Sequence, residues 1–137
     1  MDKLFIAPTS TTPEISFSIK DNLFRIKGNS RPEDVRALYY PVTEWITNLI
    51  DGIISGRINE FTEKNPIKFQ FDLQYFNSSS AKFLYDIFLE LKKLPDAGKH
   101  VNIEWYYDRE DTDMFEAGSD MASLVSMNFS FIAKEEE

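Results

Sequence analysis

Cysteine is absent from this 137-residue chain, and histidine occurs once. The first absence excludes disulfides, thiolate metal sites and a cysteine nucleophile. The second leaves His100, at the start of a strand-like run, as the sole imidazole, with no partner that the spacing identifies for acid–base work. Positive charge is scarce too: 15 Lys and Arg stand against 23 Asp and Glu, giving a formal charge of −8. Such a balance repels phosphate backbones and anionic lipid, and the few neighbouring cations, Lys92–Lys93 and Arg25/Lys27, form no patch. Neither nucleic acid nor a membrane surface is an expected partner. No apolar run approaches the roughly 20 residues of a membrane-spanning helix. The N-terminal stretch MDKLFIAPTSTTPE has no apolar core of the signal-peptide type, so a cytoplasmic protein is expected. A Gly-rich phosphate loop, a GxSxG elbow and an HExxH helix are also missing.

What the chain does have is aromatic residues: 12 Phe, six Tyr and two Trp. Each buried ring removes roughly 150–250 Å² from water, enough to build a core without covalent staples. The length fits one domain, residues 1–137, with 134–137 (KEEE) read as a solvated, flexible tail.

Periodicity gives the elements. Ile15, Phe17 and Ile19 alternate with polar residues and predict a strand. Asp21-Asn22 suits a tight turn, and Leu23 to Lys27 returns as a second strand before Gly28. Ser30-Arg31-Pro32-Glu33 has the form of a capping box that opens a helix. Val35, Leu38, Val42, Trp45, Ile46, Leu49 and Ile53 continue it as a stripe to about Gly56, with a kink or break expected at Pro41. RINEFTEKNP reads as a loop. Ile67, Phe69, Phe71 and Leu73 alternate strictly with Lys68, Gln70 and Asp72, which is a strand with one wet face. Ala81, Leu84, Ile87, Phe88, Leu91 and Leu94 form a second helical stripe, ended by Pro95 and Gly98. Val101 to Tyr107 alternates again. Met114 to Met127 is a weaker helix interrupted by Gly118, and Phe129 to Ala133 is a closing strand. The order ββα-β-α-β-α, plus that strand, implies a mixed sheet with helices mainly on one face: a small two-layer α/β sandwich.

Two groups of residues carry candidate chemistry. Asp72 and Glu104 fall on the wet side of neighbouring strands, and paired carboxylates do acid–base work when buried together. Asp108, Glu110, Asp111 and Asp113 gather oxygens that suit a hard cation. An EF-hand loop from Asp108 would need glycine at its sixth place and glutamate at its twelfth; Asp113 and Ser119 stand there. A small carboxylate- or metal-dependent hydrolase is the alternative function these acids allow, and solvated side chains are the simpler account.

The second group is YFNSSSAK, Tyr75 to Lys82, at a strand-to-helix junction. Asn77 or Ser78 can cap the helix. The helix start, with free N–H groups and the positive dipole end, also tolerates an anion, so a hydroxyl there accepts phosphate without breaking the fold.

The chain resembles the SiaC family of bacterial regulatory phosphoproteins, relatives in shape of the STAS anti-sigma-factor antagonists. The resemblance rests on TSTTPEISF (Thr9 to Phe17), GNSRPE (Gly28 to Glu33), Tyr40-Pro41, LQYFNSSSAK (Leu73 to Lys82), Gly98 and IEWYYD (Ile103 to Asp108). It implies a STAS-like fold and a switch without catalysis, cofactor or metal. A partner kinase would phosphorylate the hydroxyl directly after the motif's Asn, here Ser78. A PP2C-like phosphatase would reverse it. The dephosphorylated form would bind and activate a diguanylate cyclase, raising cyclic di-GMP and favouring biofilm. Serine stands where the family often has threonine. Asn77, Ser79 and Ser80 would shape the turn and, with Tyr75, Phe76 and Lys82, make the partner-binding surface.

Overall fold

Residues 1–135 are described by the structure, a computed structural model. Six strands form one sheet in the order of the chain: β1 (Leu4–Ile6), β2 (Glu14–Ser18), β3 (Leu23–Ser30), β4 (Ile67–Phe76), β5 (Val101–Asp108) and β6 (Ser130–Lys134). β1, β2 and β3 pair antiparallel; β3 through β6 pair parallel. The parallel strands are joined by α1 (Val35–Ser55), by α2 (Ser78–Leu91) with the short α3 (Lys93–Asp96), and by α4 (Thr112–Val125). The strand order advances in one direction. Right-handed crossovers then send every helix to the same face, which is why two layers form rather than three. Among the described residues no helix is long and apolar enough to cross a membrane.

The covered face holds the rings. Phe24 stacks on Phe69 with centroids 4.9 Å apart, and Phe71 meets Phe88 of α2 at 4.6 Å. Trp45 of α1 closes on Phe17 at 5.1 Å. Trp105 is fully buried and donates its indole N–H to the Met114 carbonyl of α4 at 3.0 Å. Gly118 lies against that indole, where an added Cβ would meet the ring at 2.5 Å.

Several expectations need correcting. The capping box does not form. Ser30 is the last residue of β3, paired with Phe76, and α1 is capped instead by Asp34, whose carboxylate accepts from the Ala37 N–H at 3.1 Å. Of the two outcomes expected at Pro41, the single long helix holds and the break does not: α1 runs past it to a left-handed Gly56 (φ 85°). Tyr39 and Val42 on either side are fully buried, and packing of that stripe outweighs the ~3 kcal/mol penalty of an internal proline. Gly118 does not interrupt α4; the helix needs a residue without a side chain where it crosses Trp105. The second helix divides, α2 ending at Leu91 and Pro95 lying within α3. β1 was not expected, because three residues carry too little periodicity. The expected tail is wrong at its first residue, since Lys134 belongs to β6; positions 136–137 lie outside the described residues.

Candidate functional site: the start of α2

Parallel β3 and β4 end side by side at Ser30 and Phe76, and α2 begins two residues later. Functional sites of open α/β sheets form at such strand C-termini. The Asn77 N–H donates to the Ser30 carbonyl at 3.0 Å, which holds the junction to the sheet. Asn77 is the N-cap: its side-chain oxygen accepts from the Ser80 N–H at 2.9 Å and the Ser79 hydroxyl at 3.1 Å. Asparagine suits this place because its short side chain satisfies one of the free N–H groups of the first turn.

The three serines that follow point three ways, because each helical residue turns about 100° from the last. Ser78 and Ser79 are exposed, and Ser80 is fully buried. The Ser80 hydroxyl donates to the Ser30 carbonyl at 3.1 Å and lies 2.8 Å from the Ser30 hydroxyl, which lies 2.6 Å from the Tyr39 phenol. With the Ser80 proton on the carbonyl, the Ser30 hydroxyl donates to Ser80 and Tyr39 donates to Ser30, so every proton in the chain is placed. Burial pushes the Tyr39 phenol above its ordinary pKa, partly offset by the Ser30 and Ser80 hydroxyls. Tyr39 also stacks on Phe83 with centroids 5.5 Å apart, so α1, β3 and α2 are tied together beneath the exposed serines.

Of the surface expected around Ser78, Tyr75 is half exposed, and Lys82 is exposed and pairs with Asp86 at 3.6 Å. Phe76 is half-buried and packs edge-on against Trp105 at 6.0 Å. Ser80 departs from that expectation: it faces inward and offers nothing to a partner. The sequence marks Ser30 as a helix cap rather than as part of a buried network, and it does not mark Tyr39. The signal for Tyr39 is faint: a tyrosine flanking the apolar stripe of α1.

The carboxylates do not converge. Asp72 bonds Lys134 at 2.6 Å, while Glu104 accepts from Tyr106 at 2.9 Å and from Gln70 at 3.2 Å. In the Asp108 to Asp113 loop, Asp111 caps α4 through the Met114 N–H at 3.0 Å, and Asp108 lies 3.7 Å from Lys134. Among the described residues, no three histidine or acidic side chains come together as a metal would require.

The model of the SiaC family regulatory phosphoproteins matches residues 6–134. The chain belongs to the SiaC family. An uncharacterised protein of Pseudomonas aeruginosa (strain UCBPP-PA14) is 28% identical over 137 residues, covering 99% of this chain and all of that one. The crystal structure of apo-SiaC from Pseudomonas aeruginosa is similar with a TM-score of 0.81 at 26% identity, over 97% of this chain and 100% of that one. A chain of the crystal structure of the diguanylate cyclase SiaD in complex with its activator SiaC, from the same species, matches with a TM-score of 0.81 at 25% identity, over 96% and 99% of the two chains. The two-layer α/β fold expected from the resemblance is the fold of these SiaC structures.

Proposed function

We propose that this SiaC-family chain is a non-enzymatic, cytoplasmic phospho-switch whose single acceptor is Ser78. A partner kinase transfers a phosphoryl group from ATP to the Ser78 hydroxyl, and a PP2C-like phosphatase hydrolyses the ester. The dephosphorylated form binds and activates a diguanylate cyclase. The observation that carries this reading is the placement of Ser78: exposed, first in α2, next to an Asn77 cap whose oxygen is already engaged by Ser79 and Ser80. Its hydroxyl is thus presented where first-turn N–H groups and the helix dipole favour negative charge. Lys82, one helical turn on, supplies a cation on the same face. The cyclase is supported by the complex of SiaD with its activator SiaC, to which this fold is similar.

Phosphorylation would add about −1.5 to −2 charge to a surface that Tyr75 and Phe76 otherwise make largely apolar. Incubation with the cognate kinase and ATP, followed by mass-spectrometric mapping, should find one phosphate on Ser78 and none in Ser78→Ala. Label that persists in Ser78→Ala rejects the assignment. By calorimetry, Ser78→Ala should keep cyclase binding and Ser78→Asp should weaken it about tenfold, in line with a like charge or desolvation penalty at an interface.

A further inference from the structure

The outer side of the helical layer contains a groove of about 280 Å³ between α1 and α2. Ile46 and Ile87 form its floor, and Thr43 and Thr47, one turn apart, line the α1 side. Asp86 and Glu90, also one turn apart, line the α2 side. At one end Tyr40 and Phe83 meet edge-to-face at 5.9 Å, and Tyr40 is more than half exposed. One polar atom is out of place in this setting. Glu90 Oε2 pairs with Lys93 at 3.0 Å, but Glu90 Oε1 is buried and has no hydrogen-bond donor among the described residues. A buried carboxylate oxygen without a donor is costly, and the cost falls when a donor arrives.

We propose that this groove receives an arginine side chain of the protein partner that the switch controls, an inference that rests on the switch reading above. Each wall matches one part of that side chain. The isoleucine floor accepts the aliphatic stem. Exposed Tyr40, braced edge-to-face by the partly buried Phe83, offers a ring face to a guanidinium plane. Asp86 supplies an exposed carboxylate for its forked donors, Glu90 supplies Oε1 once its side chain turns toward the groove, and the threonine hydroxyls accept from the donors that remain. Among the described residues, Asp86 is held only by the exposed Lys82 pair at 3.6 Å, which an incoming guanidinium can displace. A lysine ammonium would meet one carboxylate but has neither the plane nor the fork.

The test uses the whole isotopically labelled chain and backbone-amide NMR, with blocked arginine (acetyl-arginine-amide) as the probe and blocked lysine and norleucine as controls. Arginine should move the amides of Thr43, Thr47, Phe83 and Glu90, with an affinity about tenfold above that of lysine, a difference of one good charge-assisted bond. Glu90→Gln, nearly isosteric, should erase the preference for arginine, and Asp86→Asn should reduce it. An equal response to arginine and lysine, or shifts confined to other surfaces, overturns the proposal. Kinase labelling of Ser78 in Glu90→Gln separates the two ideas. Normal labelling with no arginine preference in the parent chain sinks the groove alone. An arginine-selective groove on a chain whose Ser78 is never labelled sinks the switch that the proposal rests on.

Discussion

On one face of β4, Phe69, Phe71 and Leu73 are buried among the rings of Phe24, Phe88 and Trp105. On the other face of the same strand, Gln70 and Asp72 hold charged and polar partners from β5 and β6. The covered face is stabilised by area removed from water, which is non-directional, so each residue contributes roughly in proportion to its size. The open face is stabilised by specific pairs. Arg25 bonds Glu14 at 3.1 Å, Lys134 bonds Asp72, and Glu104 holds Gln70 and Tyr106. Each pair there remains partly solvated, which limits what it contributes. One strand can thus be indifferent to partner identity on one side and particular about it on the other.

The covered face depends most on Trp105. Trp105→Ala should lower the unfolding free energy by about 3–5 kcal/mol, as large-to-small changes of a buried ring do. Urea denaturation measures it, and a loss below about 1 kcal/mol would mean the covered face is not the main source of stability. Gly118→Ala tests the same contact by addition. The Cβ meets the indole at 2.5 Å, so a cost of about 1–3 kcal/mol is expected, with α4 rather than the sheet giving way.

The buried hydroxyls should come next. Ser80→Ala removes the donor to the Ser30 carbonyl and an acceptor for the Ser30 hydroxyl, for an expected loss of about 1–3 kcal/mol. Ser78→Ala, two positions earlier and exposed, should change stability by less than about 0.5 kcal/mol. Equal effects of the two would contradict the inward and outward assignments.

On the open face, Lys134→Met should cost about 1 kcal/mol, more than an exposed pair, because the Asp72 side chain retains only 13% of its exposure. High salt should narrow the gap between the parent and the variant. The last effect concerns pH. Burial, then the hydrogen bond to Glu104, pushes the Tyr106 phenol up to about 12 from an ordinary 10.0. A pKa raised in the folded state means its stabilising contribution is complete below pH ~10 and is lost as the pH rises toward ~12. Tyr106→Phe should therefore flatten the parent's fall in stability across that window, read from urea midpoints at each pH.

The same contrast explains what could be read from the sequence. Strict alternation in Ile67 to Leu73 and Val101 to Tyr107, and the stripes of α1 and α2, reflect a face that needs only apolar size, so the strands, helices and layering follow from them. Pairings such as Lys134 with Asp72 join residues 62 positions apart. Nothing local marks them, and Lys134 next to three glutamates resembles a tail. Ser30 shows the same difficulty at the candidate site. Its neighbours Pro32 and Glu33 give it the form of a helix cap, yet its hydroxyl is engaged by Tyr39 and by Ser80, 50 positions away. Asn77 and Ser78 were legible because capping is a local affair, decided within one turn.

The inward turn of Ser80 has a consequence for any enzyme that modifies this junction. In an unfolded peptide the three consecutive alcohols are chemically alike, and a transferase reading linear sequence would have little basis for choosing among them. In the folded domain the third is fully buried and bonded to Ser30, and the second is tethered to the asparagine that begins the helix. Under the proposed switch, the helical screw itself would set the first apart from the third, and the enzyme's substrate would be a shape, not a string of letters.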